Sequence, residues 1–297
     1  MHTMKKGLLL LGMVLVTSLP LTGAMVTWVG SIDTDYANPG NWDTNAVPAT
    51  NGTDDAFIGG ATIYNAGPDF SVSNGSTVTI GLGGSWTQTG GISWIQAAGG
   101  TLNVNSGGSF DMGTSGNLVR DGSTVLNIAG NFTYSGLLVV DPGNSGAVNL
   151  LSGGLLQTTS EFKPIGTFQI PTEATMSVGS IVSFSDGAGI IEVNGTLEIG
   201  DASLYDGFYG SAADRYTTIT SLEGSVLLHN ATETTATNLI STGAVRYLDG
   251  IGDGSLVLAD LGGGDYRITA VPEPSTFALF AGVLVAGAIL VRRRRQG

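Results

Sequence analysis

Cysteine is absent from the chain, and histidine occurs only as His2 and His229. Without thiols there is no disulfide to staple the fold, no thiolate nucleophile and no zinc–thiolate site. A Ser-His-Asp constellation would have to use His229, because His2 falls in an N-terminal leader. His229 belongs to the strand-like run Val226–Asn230, where a solvent-facing position is expected. Basic residues are almost as scarce. Between Met25 and Val271 there are five, Arg120, Lys163, Arg215, Arg246 and Arg267, against 23 acids, a net charge of about −18. No Lys/Arg patch exists to neutralise phosphates, so nucleic acid is not an expected partner. Long apolar runs are confined to the two ends, and no helical period is visible between them.

The N-terminal run has the layout of a secretory signal over residues 1–24. Lys5 and Lys6 supply the positive region, Gly7 to Leu19 the apolar region, and Pro20 ends it before the small residues Thr22-Gly23-Ala24. Cleavage by signal peptidase is expected between Ala24 and Met25, after passage through the general secretion machinery. Residues 271–297 have three parts. Val271-Pro272-Glu273-Pro274 is followed by an apolar run from Thr276 to Val291 and then by Arg292, Arg293, Arg294 and Arg295. Two prolines around a glutamate continue neither a helix nor a central strand, so the triplet is an extended spacer. The run of 16 residues, taken as a transmembrane helix over 276–291, spans ~24 Å at ~1.5 Å per residue. That is slightly short of a ~30 Å hydrocarbon core, and snorkelling arginines make up the difference. Four positive charges hold that end in the cytoplasm.

In this order, the triplet, the apolar run and the arginine cluster resemble the PEP-CTERM sorting signal of Gram-negative bacteria. The resemblance implies an exosortase, a membrane-embedded transpeptidase-like enzyme, as processing partner. It also implies transit through the inner membrane, then release or transfer to the cell surface, the cell envelope or exopolysaccharide. A permanent single-pass anchor is the alternative. A destination follows from the resemblance; an activity does not.

Residues 25–73 differ in character from the rest of the chain. Trp28-Val-Gly30, Asn41-Trp42, Val47-Pro48 and Asp54-Asp-Ala-Phe-Ile58 place aromatics beside turn residues. They read as an N-terminal cap whose tryptophans cover the open end of an apolar core. The pattern resembles the N-terminal portion of many PEP-CTERM and autotransporter-like surface proteins. The competing reading is a carbohydrate platform of Trp28, Tyr36 and Trp42.

Over residues 74–270 a short motif returns: Gly-Ser/Thr and then alternating apolar and polar residues. Copies begin at Gly75, Gly100, Gly122, Gly146, Gly195, Gly224 and Gly254, with a weaker one over Glu173–Val178 in the longest gap. The period is near 25 residues. Period-two alternation means strands with one buried face, and a repeat of this size is one coil of a parallel β-helix. The expected fold is therefore all-β, a right-handed parallel β-helix of about eight coils. Leu102, Val104, Leu197, Ile199, Leu256 and Leu258 should point inward. A β-sandwich or jelly roll built from the same strands is the alternative.

Chemistry is sparse. Asp33, Asp35, Asp54, Asp55, Asp201 and Asp206 are the carboxylates a polysaccharide hydrolase or lyase on this scaffold would use. Asp54 and Asp55 are adjacent, so in a strand they face opposite ways. Gly262-Gly-Gly-Asp265 echoes a calcium-binding turn but occurs once. The expectation is no catalytic residue, no cofactor and no metal, with calcium at that turn as the alternative. On this reading the chain is an exported structural or adhesive protein of the cell surface, extracellular matrix or biofilm.

Overall fold

Alternation in the sequence becomes parallel strands stacked along one axis. The computed structural model describes residues 24–50, 52, 54–65, 72, 75–89, 99–113, 125–136, 138–140, 147–164, 166–181, 189–201, 215–247 and 256–271. One sheet is formed in spatial order by β1 (Ala24–Thr27), β2 (Asp54–Ile58), β4 (Thr77–Ile80), β6 (Thr101–Val104), β8 (Val125–Ile128) and β11 (Ala147–Leu150). From β2 onward, the chain crosses from each of these to a second sheet through a corner. There β3 (Thr62–Asn65), β5 (Ser85–Gln88), β7 (Ser109–Asp111), β9 (Asn131–Tyr134) and β12 (Leu155–Pro164) stack in the same sense. The short β10 (Leu138–Val140) pairs with the far end of β12. Coils in register are separated by 24 residues at Val78, Leu102 and Leu126, and by 22 at Val148.

These five regular turns give way to a change of wall. The first sheet ends at β11, and a separate one begins, made of β13 (Gly166–Ile170), β15 (Gly189–Val193), β17 (Arg215–Ile219) and β19 (Val245–Tyr247). The second sheet runs on unbroken through β14 (Thr175–Ile181), β16 (Thr196–Ile199) and β18 (Ser225–Leu228). The solenoid is thus one of about five turns, continued by the four-stranded sheet and three further strands of the second sheet, not eight equivalent coils. The sequence repeat merges two faces. The copies at Gly75, Gly100, Gly122 and Gly146 form strands of the first sheet; those at Glu173, Gly195 and Gly224 form strands of the second. The jump between Gly146 and Gly195 is where one face replaces the other.

The last copy departs further. Gly254 and Ser255 precede β20 (Leu256–Gly262), which forms an antiparallel hairpin with β21 (Asp265–Ala270), and β21 in turn lies antiparallel on β18. Leu256 and Leu258 are therefore only half-buried on an end hairpin, whereas Leu102, Val104, Leu197 and Ile199 are fully buried. An antiparallel closing hairpin stops the next coil from templating on β18. All other strand pairs among the described residues are parallel, which removes the sandwich alternative. A helix, α1 (Glu233–Ser241), also lies in the continuation, capped by the Thr232 hydroxyl and burying Ala236 and Leu239. Its threonine-rich, β-branched sequence has poor helix propensity, and the helix exists because that face packs.

Inside, equivalent side chains form columns. Ile63, Trp86, Phe110, Phe132, Leu156, Met176, Leu197 and Val226 succeed one another rung by rung. The Trp86, Phe110 and Phe132 rings are stacked, with centroids 5.9 and 5.6 Å apart. Corners are set by backbone proximity. A Cβ on Gly84 or Gly154 would collide with the carbonyl oxygen of Ile58 or Ile128, so the turn tolerates no side chain there.

The aromatic column is closed at its N-terminal end. Trp42 meets Trp28 edge-on at 5.0 Å and Tyr36 edge-on at 5.5 Å, and Tyr36 leans on Trp86 at 4.8 Å. The segment before Asn74 is not purely a cap, since β2 and β3 are already rungs of the two sheets.

Candidate functional site

What the solenoid offers to a partner is its outer surface, and parallel register makes that surface periodic. On the first sheet, Asn103 donates its side-chain amide to Thr79 at 3.4 Å, Asn127 to Asn103 at 2.8 Å and Asn149 to Asn127 at 2.8 Å. Asn103 and Asn127 each accept one of these bonds and donate another, so the ladder orders one polar stripe. On the second sheet one outward column reads Thr62, Ser85, Ser109, Asn131, Leu155, Thr175, Thr196 and Ser225. Its neighbour reads Tyr64, Thr87, Asp111, Thr133, Gln157, Ser177, Glu198 and Leu227. Ser85 bonds Thr62 at 2.9 Å, and Thr196 lies 3.4 Å from Ser225. Hydroxyls and amides thus recur at the strand spacing of ~4.8 Å. An open groove of about 370 Å³ lies on this face, bordered by Gly153, Gly154, Gln157, Glu173, Ser177 and Glu198. Sequence reasoning missed these residues. Aligning coils one strand at a time would have found the ladder, because Asn103, Asn127 and Asn149 recur at the coil length.

The residues singled out from the sequence fall elsewhere. Trp28 and Trp42 are 3 % and 1 % exposed, and Tyr36 is half-buried between Trp42 and Trp86. The two buried tryptophans have no free face for a sugar to stack on, so with Tyr36 they do not form a sugar platform. Asp33 accepts from the backbone of Asp35 and the side chains of Asn38 and Asn41, which holds its carboxyl below the usual range. Asp35 accepts from the backbone N–H of Ala37. Asp54 accepts from the Ala49 N–H at 2.8 Å and Asp55 from the Thr77 N–H at 2.6 Å. These four carboxylates tie loops and rungs together and do not converge on one cleft. Asp206 lies outside the described residues.

His229 is half-exposed just after β18, its Nδ1 3.0 Å from Asp265 on β21, so the pair fastens the closing hairpin to the last rung. Among the described residues no hydroxyl bonds its other nitrogen. Gly262-Gly-Gly-Asp265 is the turn of the hairpin itself, with all three glycines at positive φ.

Both chain ends bear on sorting. Ala24 and Met25 open β1, paired with Asp54 and Asp55. Val271 comes directly after β21; Pro272, Glu273, Pro274 and Arg292 to Arg295 lie outside the described residues, as does the apolar run 276–291. Among the described residues no helix is long and apolar enough to cross a membrane. Comparison with protein families bears on the tail directly. Residues 270–295 match the PEP-CTERM protein-sorting motif. The motif marks an exported protein, sorted to the envelope or surface with processing by an exosortase, and its passenger is the β-solenoid. No curated protein and no solved structure matches the chain.

Proposed function

We propose that this PEP-CTERM passenger is a structural or adhesive element of the extracellular matrix, held in exopolysaccharide or biofilm by its polar outer face, and that it has no hydrolytic activity. The carrying observation is the pair of outward columns on the second sheet, hydroxyl and amide groups repeated rung after rung on a rigid wall. Single hydrogen bonds from such a face to a hydrated polymer are weak. Presented in register along a polymer that repeats as well, they act multivalently, and overall binding exceeds any one contact by orders of magnitude. General acid/base chemistry needs two groups converging on one substrate, and Asp33, Asp54 and Asp55 are instead occupied by loop and strand N–H groups.

Transit is governed by the sorting motif. The apolar run 276–291 places the chain in the inner membrane, the exosortase cuts near Pro272-Glu273-Pro274, and the passenger reaches the surface. The test uses protein recovered from the surface of the producing cell. Intact mass should show neither the residues before Met25 nor Arg292 to Arg295, and the protein should co-sediment with the producer's exopolysaccharide without new reducing ends or unsaturated sugars. Failure to co-sediment, or sugar release that one carboxylate substitution abolishes, refutes the matrix reading. Arginines retained on the mature protein refute the cut and leave a membrane anchor.

A further inference from the structure

The groove on the second sheet sits where two corners differ. In the coil that ends in β12, the corner is Gly153-Gly154; Gly154 is buried against the Ile128 carbonyl with no room for a side chain, and Gly153 faces open space. One coil on, the corner before β14 carries Glu173-Ala174. Glu173 has φ +63°, the left-handed region, at the turn position where other coils place Gly83, Gly107 and Gly153. A non-glycine residue there is strained, and such strain persists where the surroundings or a function demand it. The Ser152 hydroxyl donates to Glu173 Oε2 at 3.1 Å and holds the carboxylate at the rim.

Along the floor, Gln157, Ser177 and Glu198 stand in one register line, with Leu155 and Thr175 beside them. Three rungs span ~10 Å. The result is an open trough of about 370 Å³ with a missing side chain at one end, two carboxylates, hydroxyl and amide groups between them, and one apolar patch at Leu155. That volume is at the lower end of the range for small-ligand sites. None of the described basic residues lines it.

We infer that this trough is a saccharide subsite selective for non-acidic sugars, amino sugars above all. Carboxylates accept hydrogen bonds and never donate when ionised, so they pair with sugar hydroxyls and, more strongly, with a protonated amine. A uronate or sulfated sugar brings like charge onto Glu173 and Glu198 with no cation to offset it. The inference rests on the matrix reading above and specifies one site within it.

Calorimetry on the surface-recovered protein tests it, with three probes of equal length: a glucosamine oligomer, its N-acetylated form and a galacturonate oligomer. The expected order is glucosamine tightest, the N-acetylated form weaker, and galacturonate without measurable binding. Glu198→Gln should weaken glucosamine binding by about tenfold, the scale of one charge-assisted hydrogen bond, and the N-acetylated probe by less. Glu173→Gly should raise the melting midpoint, because it relieves the left-handed strain, and weaken the same binding. Ser177→Trp should block both probes while circular dichroism remains that of the parent. Galacturonate binding as tightly as glucosamine, or unchanged glucosamine binding in all three variants, overturns the subsite. Exopolysaccharide co-sedimentation is scored separately: a parent that sediments while the variants keep every affinity retains the matrix role and loses this site.

Discussion

Phe110→Ala is the sharpest probe of the column. Its ring is 1 % exposed, stacked on Trp86 at 5.9 Å and 21° and on Phe132 at 5.6 Å and 5°. Phe-to-Ala changes in cores cost about 3–5 kcal/mol, more where the site resists collapse. Here β5, β7 and β9 are held ~4.8 Å apart by their ladders, so neighbouring rings have no route into the void. Two aromatic contacts, each worth ~0.5–1.5 kcal/mol beyond area, are lost as well. The expected loss is therefore at the upper end, about 4–5 kcal/mol. Thr133→Val, on the outer side of β9, is the control and should change stability by under ~0.5 kcal/mol.

Urea unfolding of parent and variants reads the difference, and native-state hydrogen exchange reads its location. Because coils contact only their neighbours, protection should fall first in β5, β7 and β9 and little in β16 and β18. A Phe110→Ala variant within about 1 kcal/mol of Thr133→Val, or protection lost evenly along the chain, refutes the stacked-column account.

Corners and cap give further consequences. Gly154→Ala drives a methyl against the Ile128 carbonyl oxygen and should lower stability by about 1–3 kcal/mol, the usual scale of overpacking, whereas Gly153→Asn, at positive φ with open space, should be better tolerated in the same melt. Burial pushes the Tyr36 hydroxyl up from 10.0 to about 12, with the charge of Asp54 adding and a bond to Thr50 opposing. The unfolded chain then releases this proton first, so the associated stability is intact below pH 10 and is lost as pH rises toward 12. In ultraviolet titration, Tyr36→Phe should lose one late-ionising phenol relative to the parent, and an unchanged late phase would contradict the burial of that ring.

Much of the strand pattern was legible because alternation is local. Thr101-Leu-Asn-Val104 and Thr196-Leu-Glu-Ile199 each state which face is buried, and the return of glycine and Ser/Thr announces a stacked repeat. The sorting tail was legible for a different reason: prolines, apolar run and arginines act through composition and order alone. Where reading failed, the missing information was not local. Leu256-Val-Leu258 alternates as well as any coil strand, yet it pairs antiparallel in a closing hairpin. Trp28 and Trp42 look alike as sugar platforms or core plugs until their edge-on contact at 5.0 Å is known.

By itself, then, the sequence determined the all-β class, the stacking repeat, the scarcity of basic and thiol chemistry, and the sorting address, because each is carried by residues a few positions apart. Only the tertiary structure decided which copies share a sheet, where the first wall gives way to another, and that Glu173, Ser177 and Glu198 border one groove. Those depend on register between strands some twenty residues apart, and register is set by packing inside the coil, not by any single strand's own pattern.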